Sequence, residues 1–188
     1  MLFRVDGTRQ REISMRWMRA VVAAAWVAGL CGCGPSMSTL DALAQRGRLD
    51  RNAPVSVQLE TSMAAPPAKV WTLLVNAAKW PGWHGAVTAV QVDGVLAQGT
   101  RFQWKTRGTT VQSQVQLCVP GKRLAWTGRA YTAKAIHVWE LLPTPSGQTV
   151  VIVRESMDGL LMARMVSRQQ LLDADTEWLS DLKRAAEQ

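Results

Sequence analysis

Two histidines, His84 and His137, are the side chains of this sequence best suited to acid–base chemistry. His84 follows the motif Trp-Pro-Gly-Trp, and His137 lies within Ala-Ile-His-Val-Trp-Glu-Leu. A histidine among tryptophans can hydrogen-bond a ligand carbonyl or act as a general base. It can equally be a core histidine whose ring is satisfied by a backbone carbonyl. Both histidines are therefore candidate catalytic residues, and the structural interpretation stays open beside that one.

Other chemically active groups are sparse. Cys118 reads as a small, buried or half-buried hydrophobe rather than a nucleophile. Arg154 and Glu155 are adjacent, so a strand sends them to opposite faces, and one charge can point inward toward a ligand or a partner. Two distant histidines and one thiol do not form a recognisable zinc set. The sequence also lacks a glycine-rich phosphate loop before a helix. We therefore predict no metal and no cofactor.

Tryptophan is the most conspicuous residue type, with nine in the chain. Indoles that line a cavity suit a rigid, partly aromatic or polycyclic ligand. The alternative is that they fill the core. Both interpretations remain open for the tryptophans at 104, 126 and 139, and packing is the simpler account for those at 71 and 178.

The elements that position these residues follow from periodicity and turn signals. Residues 55–61 alternate as a strand, and "PPAKVWTLLVN" and "AAKWPGWHG" predict two short helical segments. Six strands then follow, over 87–92, 101–107, 109–119, 123–132, 135–142 and 148–157. Residues 160–186 have helical periodicity. Consecutive strands with the helices on one face predict an α+β fold with an antiparallel sheet of about seven strands.

Alternation along the strands separates a dry face from a wet face. The polar residues of "VQSQVQL" and the residues Ala125 and Thr127 are expected to face water. On the dry face and the helix over it, we predict a ligand-binding set. Its members are Trp83, Phe102, Trp104, Val115, Trp126, His137, Trp139, Met165 and Leu172.

The N-terminal segment reads as a leader. Arg16 and Arg19 precede an apolar run of 11 residues, 20–30, which is too short for a bilayer span of about 20. The following Leu30-Cys31-Gly32-Cys33 resembles the bacterial lipoprotein signal, which implies cleavage before Cys33 and a diacylglycerol on its thiol. We expect residues 1–32 to be a signal peptide (the true start possibly Met15), 33–52 a lipid-anchored tether, and 53–188 the folded domain.

The charge pattern argues against nucleic acid as a partner. The chain has a formal net charge of +8, but the lysines and arginines are scattered and form no stripe with interleaved aromatics.

The order of these elements carries a family resemblance. With "APPAKVWTLLVNAAKWPGWHGAV", "GTRFQWKT", "VPGKRLAWTG", "AIHVWEL" and "LLDADTEWLSDLKRAAE", the chain resembles the START-like, helix-grip SRPBCC superfamily, in its polyketide cyclase/dehydrase branch. The resemblance covers about residues 55–187. It implies a curved sheet wrapped around a long C-terminal helix, with a deep apolar cavity between them. The superfamily has no single catalytic signature to transfer to this chain.

Three functions fit these observations. The first is a lipoprotein, exported and anchored in the bacterial cell envelope, that binds a hydrophobic small molecule or lipid. The second is an enzyme of the polyketide cyclase/dehydrase type. The third is a structural or assembly factor of the envelope. The expected lipid anchor favours the first and third, and the sparse acid–base inventory counts against the second.

Overall fold

A computed structural model describes residues 34–159 and 166–188. In chain order, the elements are α1 (Met37–Ala44), β1 (Val55–Met63), α2 (Pro67–Val75), a 3₁₀ helix (Ala77–Gly82), β2 (Val87–Gln91), β3 (Arg101–Thr106), β4 (Thr109–Val119), β5 (Arg123–Ala130), β6 (Ala133–Pro143), β7 (Thr149–Gly159) and α3 (Arg168–Glu187). No helix within these residues is long and apolar enough to span a bilayer. The predicted leader, Cys33 and Met165 lie outside the described residues.

The seven strands form one antiparallel sheet in the order β1-β7-β6-β5-β4-β3-β2. Only the β1–β7 pairing joins strands that are distant in sequence, and it brings the first strand beside the last. The α3 helix packs against the concave face, where Trp178, Leu179 and Leu182 are buried. The predicted α+β helix-grip fold is confirmed.

The α3 helix begins at Arg168. The sequence pattern predicted helix from residue 160, and residues 160–165 of that prediction lie outside the described residues. A capping box fixes this start, because the Ser167 hydroxyl accepts from the Gln170 backbone N–H and the Gln170 side chain accepts from the Ser167 N–H.

A fully buried indole fills the middle of the concave face. Trp80, in the 3₁₀ helix, has its ring centroid 5.8 Å from those of Phe102 and Trp126, and 5.1 Å from that of Trp178. Its Nε1 donates to the Leu74 carbonyl at 3.1 Å, so its polar atom is satisfied inside the core. Trp80 and Trp178 thus occupy the space between sheet and helix where the family resemblance implied a deep cavity.

The convex face carries a helix that the sequence analysis left within the tether. In α1, Leu40 and Ala44 are buried against Ala125, Ile136 and Val138. Polar contacts add to this packing, since the Asp41 carboxylate accepts from Thr127 Oγ1 at 2.7 Å and from Gln116 Nε2 at 2.9 Å.

Residues 34–52 therefore belong to the same compact unit as the sheet, and the packing does not stop at the predicted boundary of residue 53. Ala125 and Thr127 were expected to face water, but they are buried because α1 covers them.

An irregularity in β4 redirects one apolar side chain. The register between β4 and β5 shifts between Val115, which pairs with Trp126, and Leu117, which pairs with Ala125. Simple alternation placed Leu117 on the dry concave face. The shift instead packs Leu117 against the convex-side cluster beneath α1.

Candidate functional site

The candidate site is centred on His137, in the middle of the sheet. His137 pairs across strands with Trp126 on one side and with Glu155 on the other. Its imidazole stacks on the Trp126 indole with centroids 5.1 Å apart and planes 16° apart. His137 therefore lies on the concave face among tryptophans.

Two buried carboxyl groups meet His137. Glu155 Oε1 lies 2.9 Å from His137 Nε2, and both side chains are almost completely buried. Asp175, on α3, is only 1% exposed and joins the group from the helix side. The adjacent Arg154 points to the other face, where it bonds Glu140 at 3.2 Å. The inward charge predicted at positions 154 and 155 is thus that of Glu155, and its partner is His137.

Burial and mutual repulsion determine how the His137–Glu155–Asp175 cluster holds protons. Burial and the neighbouring Glu155 charge raise the pKa of Asp175 to about 8, although His137 opposes this. Burial alone lowers the pKa of His137, but the charge and hydrogen bond of Glu155, with Asp175, raise it above its ordinary value. A pKa of about 8 keeps the Asp175 carboxyl mostly protonated at neutral pH, and the raised pKa of His137 favours its charged form beside Glu155. Titratable groups whose pKa values are strongly shifted by their surroundings are typical of acid–base sites.

These shifts predict that stability falls as pH rises. A carboxyl whose pKa is raised from 3.8 to about 8 on folding stabilises fully below 3.8, and this contribution is lost as pH rises through about 8. The raised pKa of His137 acts in the same direction. Asp175→Asn keeps a donor toward Glu155 and removes the titration. We expect the variant to unfold at higher temperature than the wild type at about pH 8, with the difference shrinking toward about pH 4.

Thermal unfolding at several pH values, followed by circular dichroism, measures this difference. Asp173→Asn is the matched control, because Asp173 lies on the same helix but is exposed. An Asp175→Asn curve parallel to that of the wild type would show that Asp175 is not protonated in the folded protein.

Several buried hydrogen-bond donors on the concave face have no hydrogen-bond partner among the described residues. Nε1 of Trp126, Nε1 of Trp139 and Nδ1 of His137 are buried without a hydrogen-bond partner among the described residues. Trp104 differs, since its Nε1 donates to Ser113 Oγ at 3.0 Å. Buried donors are normally paired, because an unmade bond costs about 1–3 kcal/mol. Three unpaired donors on adjacent stacked rings therefore form a surface suited to acceptor atoms.

The structure brings most, but not all, of the predicted ligand-binding residues together. Six of its members lie together on the concave face: Phe102, Trp104, Val115, Trp126, His137 and Trp139. Leu172 lies apart, half-buried in a smaller cluster with Val55, Val57 and Leu171. Trp83 lies on the far side of Trp178, and the centroids of the two rings are 5.7 Å apart.

The second histidine forms its own pair at the other side of Trp178. His84 Nδ1 lies 2.8 Å from Asp181 Oδ2, which also accepts from the Gly85 N–H at 3.1 Å. Burial alone raises the pKa of Asp181, but the hydrogen bonds from His84 and Gly85 and the charges of His84 and Arg184 lower it overall. His84 is 1% exposed, and its Nε2 has no partner among the described residues.

A surface cleft of about 280 Å³ lies next to this pair, lined by Trp83, Gly85 and Arg184 among others. The cleft does not include His137 or the unpaired indoles. We place the candidate site at His137, because that is where buried titratable groups and unpaired donors coincide.

Sequence reasoning missed the carboxyl groups of α3. Asp175 and Asp181 lie one turn to either side of Trp178, so one helix face supplies one carboxyl to each histidine. Each carboxyl residue is three positions from Trp178, so the two flank that indole on either side of the same half of the helix. That spacing is visible in the sequence, but it gave no indication of which histidine each would meet.

Both histidine clusters bring metal-type ligand atoms together, with one nitrogen and two carboxyl oxygens within 4.8 Å. At His84 the two carboxylates are already bonded by arginines, Glu177 by Arg107 and Asp181 by Arg184. At His137 the three groups are buried together, and the pKa of Asp175 is raised to about 8. The sequence analysis found no metal set because the carboxyls are far from the histidines in the chain.

The sequence of the folded unit also matches a known protein family. Residues 54–187 match the sequence profile of a family described as polyketide cyclase / dehydrase and lipid transport. A search of curated proteins finds no match to the chain.

Solved structures of the same fold include three informative ones. A hypothetical protein from Helicobacter pylori has a TM-score of 0.66 at 20% identity, covering 72% of this chain and 90% of that one. A START superfamily protein from Mycobacterium smegmatis has a TM-score of 0.56 at 14% identity, covering 70% and 94%. The Zhui aromatase/cyclase from a Streptomyces strain has a TM-score of 0.57 at 16% identity, covering 70% and 93%. At these identities the likeness shows the fold alone.

Proposed function

Because the chain belongs to the polyketide cyclase / dehydrase and lipid transport family, we propose that it binds a hydrophobic small molecule or lipid against the concave face at His137. The observation that carries this proposal is the set of three unpaired buried donors on Trp126, His137 and Trp139. An apolar core has no need of such donors, whereas a ligand with acceptor oxygens would satisfy them.

The surroundings of these donors define the chemistry of the ligand. The Trp126 ring lies between the rings of His137 and Trp139, with interplanar angles of only 16° and 21°. These stacked rings, with Trp104 beside them, form an aromatic environment that favours a rigid aromatic or polycyclic body. Carbonyl or hydroxyl oxygens on that body would accept from the indole and imidazole N–H groups. A ligand of this kind combines a large apolar area with a few well-placed polar atoms.

Access to the site is best at the His137 end. His137 is 7% exposed and Trp104 is 5% exposed, whereas Trp126 and Trp139 are completely buried. A ligand that reaches the Trp139 donor must displace the indoles of Trp80 or Trp178, which pack over this face. Binding is therefore expected to shift these two side chains.

Removing one donor tests this proposal. Trp139→Phe keeps an aromatic ring and loses the N–H, so affinity for a ligand that bonds this donor should fall about tenfold. The probe is 1,8-dihydroxyanthraquinone, a flat polycycle with carbonyl oxygens, and binding is followed by saturable quenching of tryptophan emission. Trp71→Phe is the control, because Trp71 is half-buried on α2. Equal loss of affinity in both variants, or quenching that does not saturate, would contradict the proposed site.

A second candidate function is acid–base catalysis on such a ligand, and the His137–Glu155–Asp175 cluster favours it. A protonated imidazole can donate from Nδ1 to a substrate carbonyl, which stabilises negative charge as it develops on that oxygen. The Asp175 proton and the Glu155 carboxylate provide an acid and a base next to it. Cyclisation and dehydration both require a proton to leave carbon and a proton to reach oxygen. The name aromatase/cyclase of the Streptomyces neighbour is consistent with this candidate.

We further propose that the protein is exported and lipid-anchored to a membrane of the bacterial cell envelope through Cys33. The support is the sequence Leu30-Cys31-Gly32-Cys33 after a short apolar run with arginines before it. Stable anchoring requires two or more acyl chains, which a diacylglycerol-modified cysteine supplies.

Replacement of the acceptor cysteine tests the anchor. Cys33→Ser removes the only thiol that can carry the lipid, so labelling by a fatty-acid analogue should be abolished and the protein should leave the membrane fraction. Cys31→Ser is the control and should remain labelled. Unchanged labelling of Cys33→Ser, or a mature N-terminus other than residue 33, would overturn the proposal.

A further inference from the structure

Residues 34 and 35, which directly follow position 33, are already held against the folded unit. The Lys134 ammonium donates to the Pro35 carbonyl at 2.8 Å. A Cβ on Gly34 would come within 2.9 Å of Asp158 Oδ1, so the backbone at residue 34 lies directly against β7. Ser36 then caps α1, which packs on the sheet. Since consecutive Cα atoms are about 3.8 Å apart, an acyl group on Cys33 begins one residue from the fold.

This attachment is at one particular end of the sheet. Asp158 pairs with Lys134, and Ala133 pairs with Gly159, so residue 34 lies where β6 begins and β7 ends. The turn at Tyr131, between β5 and β6, is at the same end, which we call the tether end. The β6–β7 turn is at the opposite end, about 33 Å away along the ten steps of β6.

The tether end carries the features that suit a membrane surface. Tyr131 projects there and is 92% exposed, the most exposed of the large hydrophobic side chains among the described residues. Arg129 and Lys134 flank this turn. Arg51 lies close by, because the neighbouring Asp50 N–H donates to Ser156 Oγ near the end of β7.

The start of α3 brings another cation to the same end. Leu171 packs with Val55, and Val55 pairs with Met157 near the end of β7. Arg168 is one helical turn before Leu171, so it lies at the tether end as well. The main acidic groups of this region are Asp50 and Asp158, which are buried against one another. Burial and Asp50 raise the pKa of Asp158, and both carboxyl groups are only 8% exposed. Asp173 is exposed near the start of α3, but Arg51, Arg129 and Arg168 are exposed too, so the net exposed charge of the tether end is basic.

We propose that the tether end of the sheet contacts the bilayer, with Tyr131 at the level of the lipid headgroups. This orientation rests on the proposed lipidation of Cys33. Tyrosine is enriched at membrane interfaces because its ring is apolar and its hydroxyl is polar. Lysine and arginine near an anionic leaflet add an electrostatic attraction. The occupant of this surface is a lipid membrane with anionic headgroups.

The orientation has a consequence for the ligand site. His137 is four residues along β6 from the tether end, about 13 Å from the bilayer surface. The concave site would then open close to the lipids, so an apolar ligand can move between the membrane and the protein without crossing much water.

Site-specific fluorescence on the full chain tests this orientation. The protein is isolated from bacterial membranes in a Cys118→Ser background, and mass spectrometry first establishes whether Cys33 is acylated. Tyr131→Cys is labelled with an environment-sensitive dye and reconstituted into vesicles of phosphatidylglycerol and phosphatidylcholine with nitroxide-labelled lipids. Leu142→Cys, 42% exposed at the opposite end, is the matched control.

We expect the dye at position 131 to shift to shorter wavelength and to be quenched several-fold more strongly by headgroup-level nitroxides than the dye at 142. Raising the phosphatidylglycerol fraction should increase the difference, and salt should reduce it. Acylated protein with equal quenching at both positions, or with stronger quenching at 142, would overturn the orientation alone. Protein without an acyl group at Cys33 would overturn the anchor on which it rests.

Discussion

Trp80→Ala is expected to destabilise the protein by about 3–5 kcal/mol, the range for removing a large aromatic side chain from a core. Trp80 is completely buried and makes edge or tilted contacts with the rings of Phe102, Trp104, Trp126 and Trp178. Its removal leaves a cavity beside the unpaired donors.

The same variant should bind apolar probes better, once its stability is taken into account. The new cavity lies where a ligand of the concave face would otherwise have to displace an indole. Urea unfolding gives the stability change, and 1,8-dihydroxyanthraquinone titration on the folded variant gives the binding. Trp71→Ala, at a half-buried position, should cost less. A Trp80→Ala cost below about 1 kcal/mol, or a loss of probe binding, would show that Trp80 does not fill the ligand site.

His137→Gln separates the two proposed functions by the size of its effect. Glutamine approximates the size of histidine and keeps some hydrogen bonding, but it cannot hold the charge that pairs with Glu155. If the site only binds, the variant should change affinity by about 1–3 kcal/mol, the cost of an unsatisfied polar group. If the cluster catalyses a cyclisation or dehydration, the rate should fall about 10²–10⁴-fold.

The assay compares wild type, His137→Gln and His84→Gln on a short poly-β-ketone substrate, each shown to be folded by circular dichroism. Binding without turnover in all three supports the binding function. Turnover by the wild type that collapses only in His137→Gln would replace it with the enzymatic one. Collapse only in His84→Gln would move the chemistry to the pair with Asp181.

Strand alternation predicted which side chains share the concave face. It placed Phe102, Trp104, Trp126, His137 and Trp139 on one face, and the structure brings them together there. The signal was clear along β3, where Gln103 and Lys105 alternate with Phe102 and Trp104, and in β6 the charged Glu140 set the parity of the strand. The adjacent charges at 154 and 155 also predicted one inward group, and Glu155 is that group.

Features that depend on tertiary contacts between distant parts of the chain could not be predicted from strand alternation. Trp80 sits in a 3₁₀ helix beside a proline, where no regular period indicates which side is buried. Asp175 meets His137 only because α3 crosses the sheet, and its charge resembled that of a solvated helix face. The α1 helix is short and its burial depends on a convex face that alternation marked as wet.

Native mass spectrometry of the purified, folded protein tests the central claim, ligand binding at the concave face, most directly. The protein is measured as isolated and again after incubation with an organic extract of the host cells. The account predicts one small molecule bound per chain, released on denaturation, apolar in its body and carrying carbonyl or hydroxyl oxygens. A chain that carries no such molecule in either sample, although it is folded and the extract contains apolar compounds, would contradict the account.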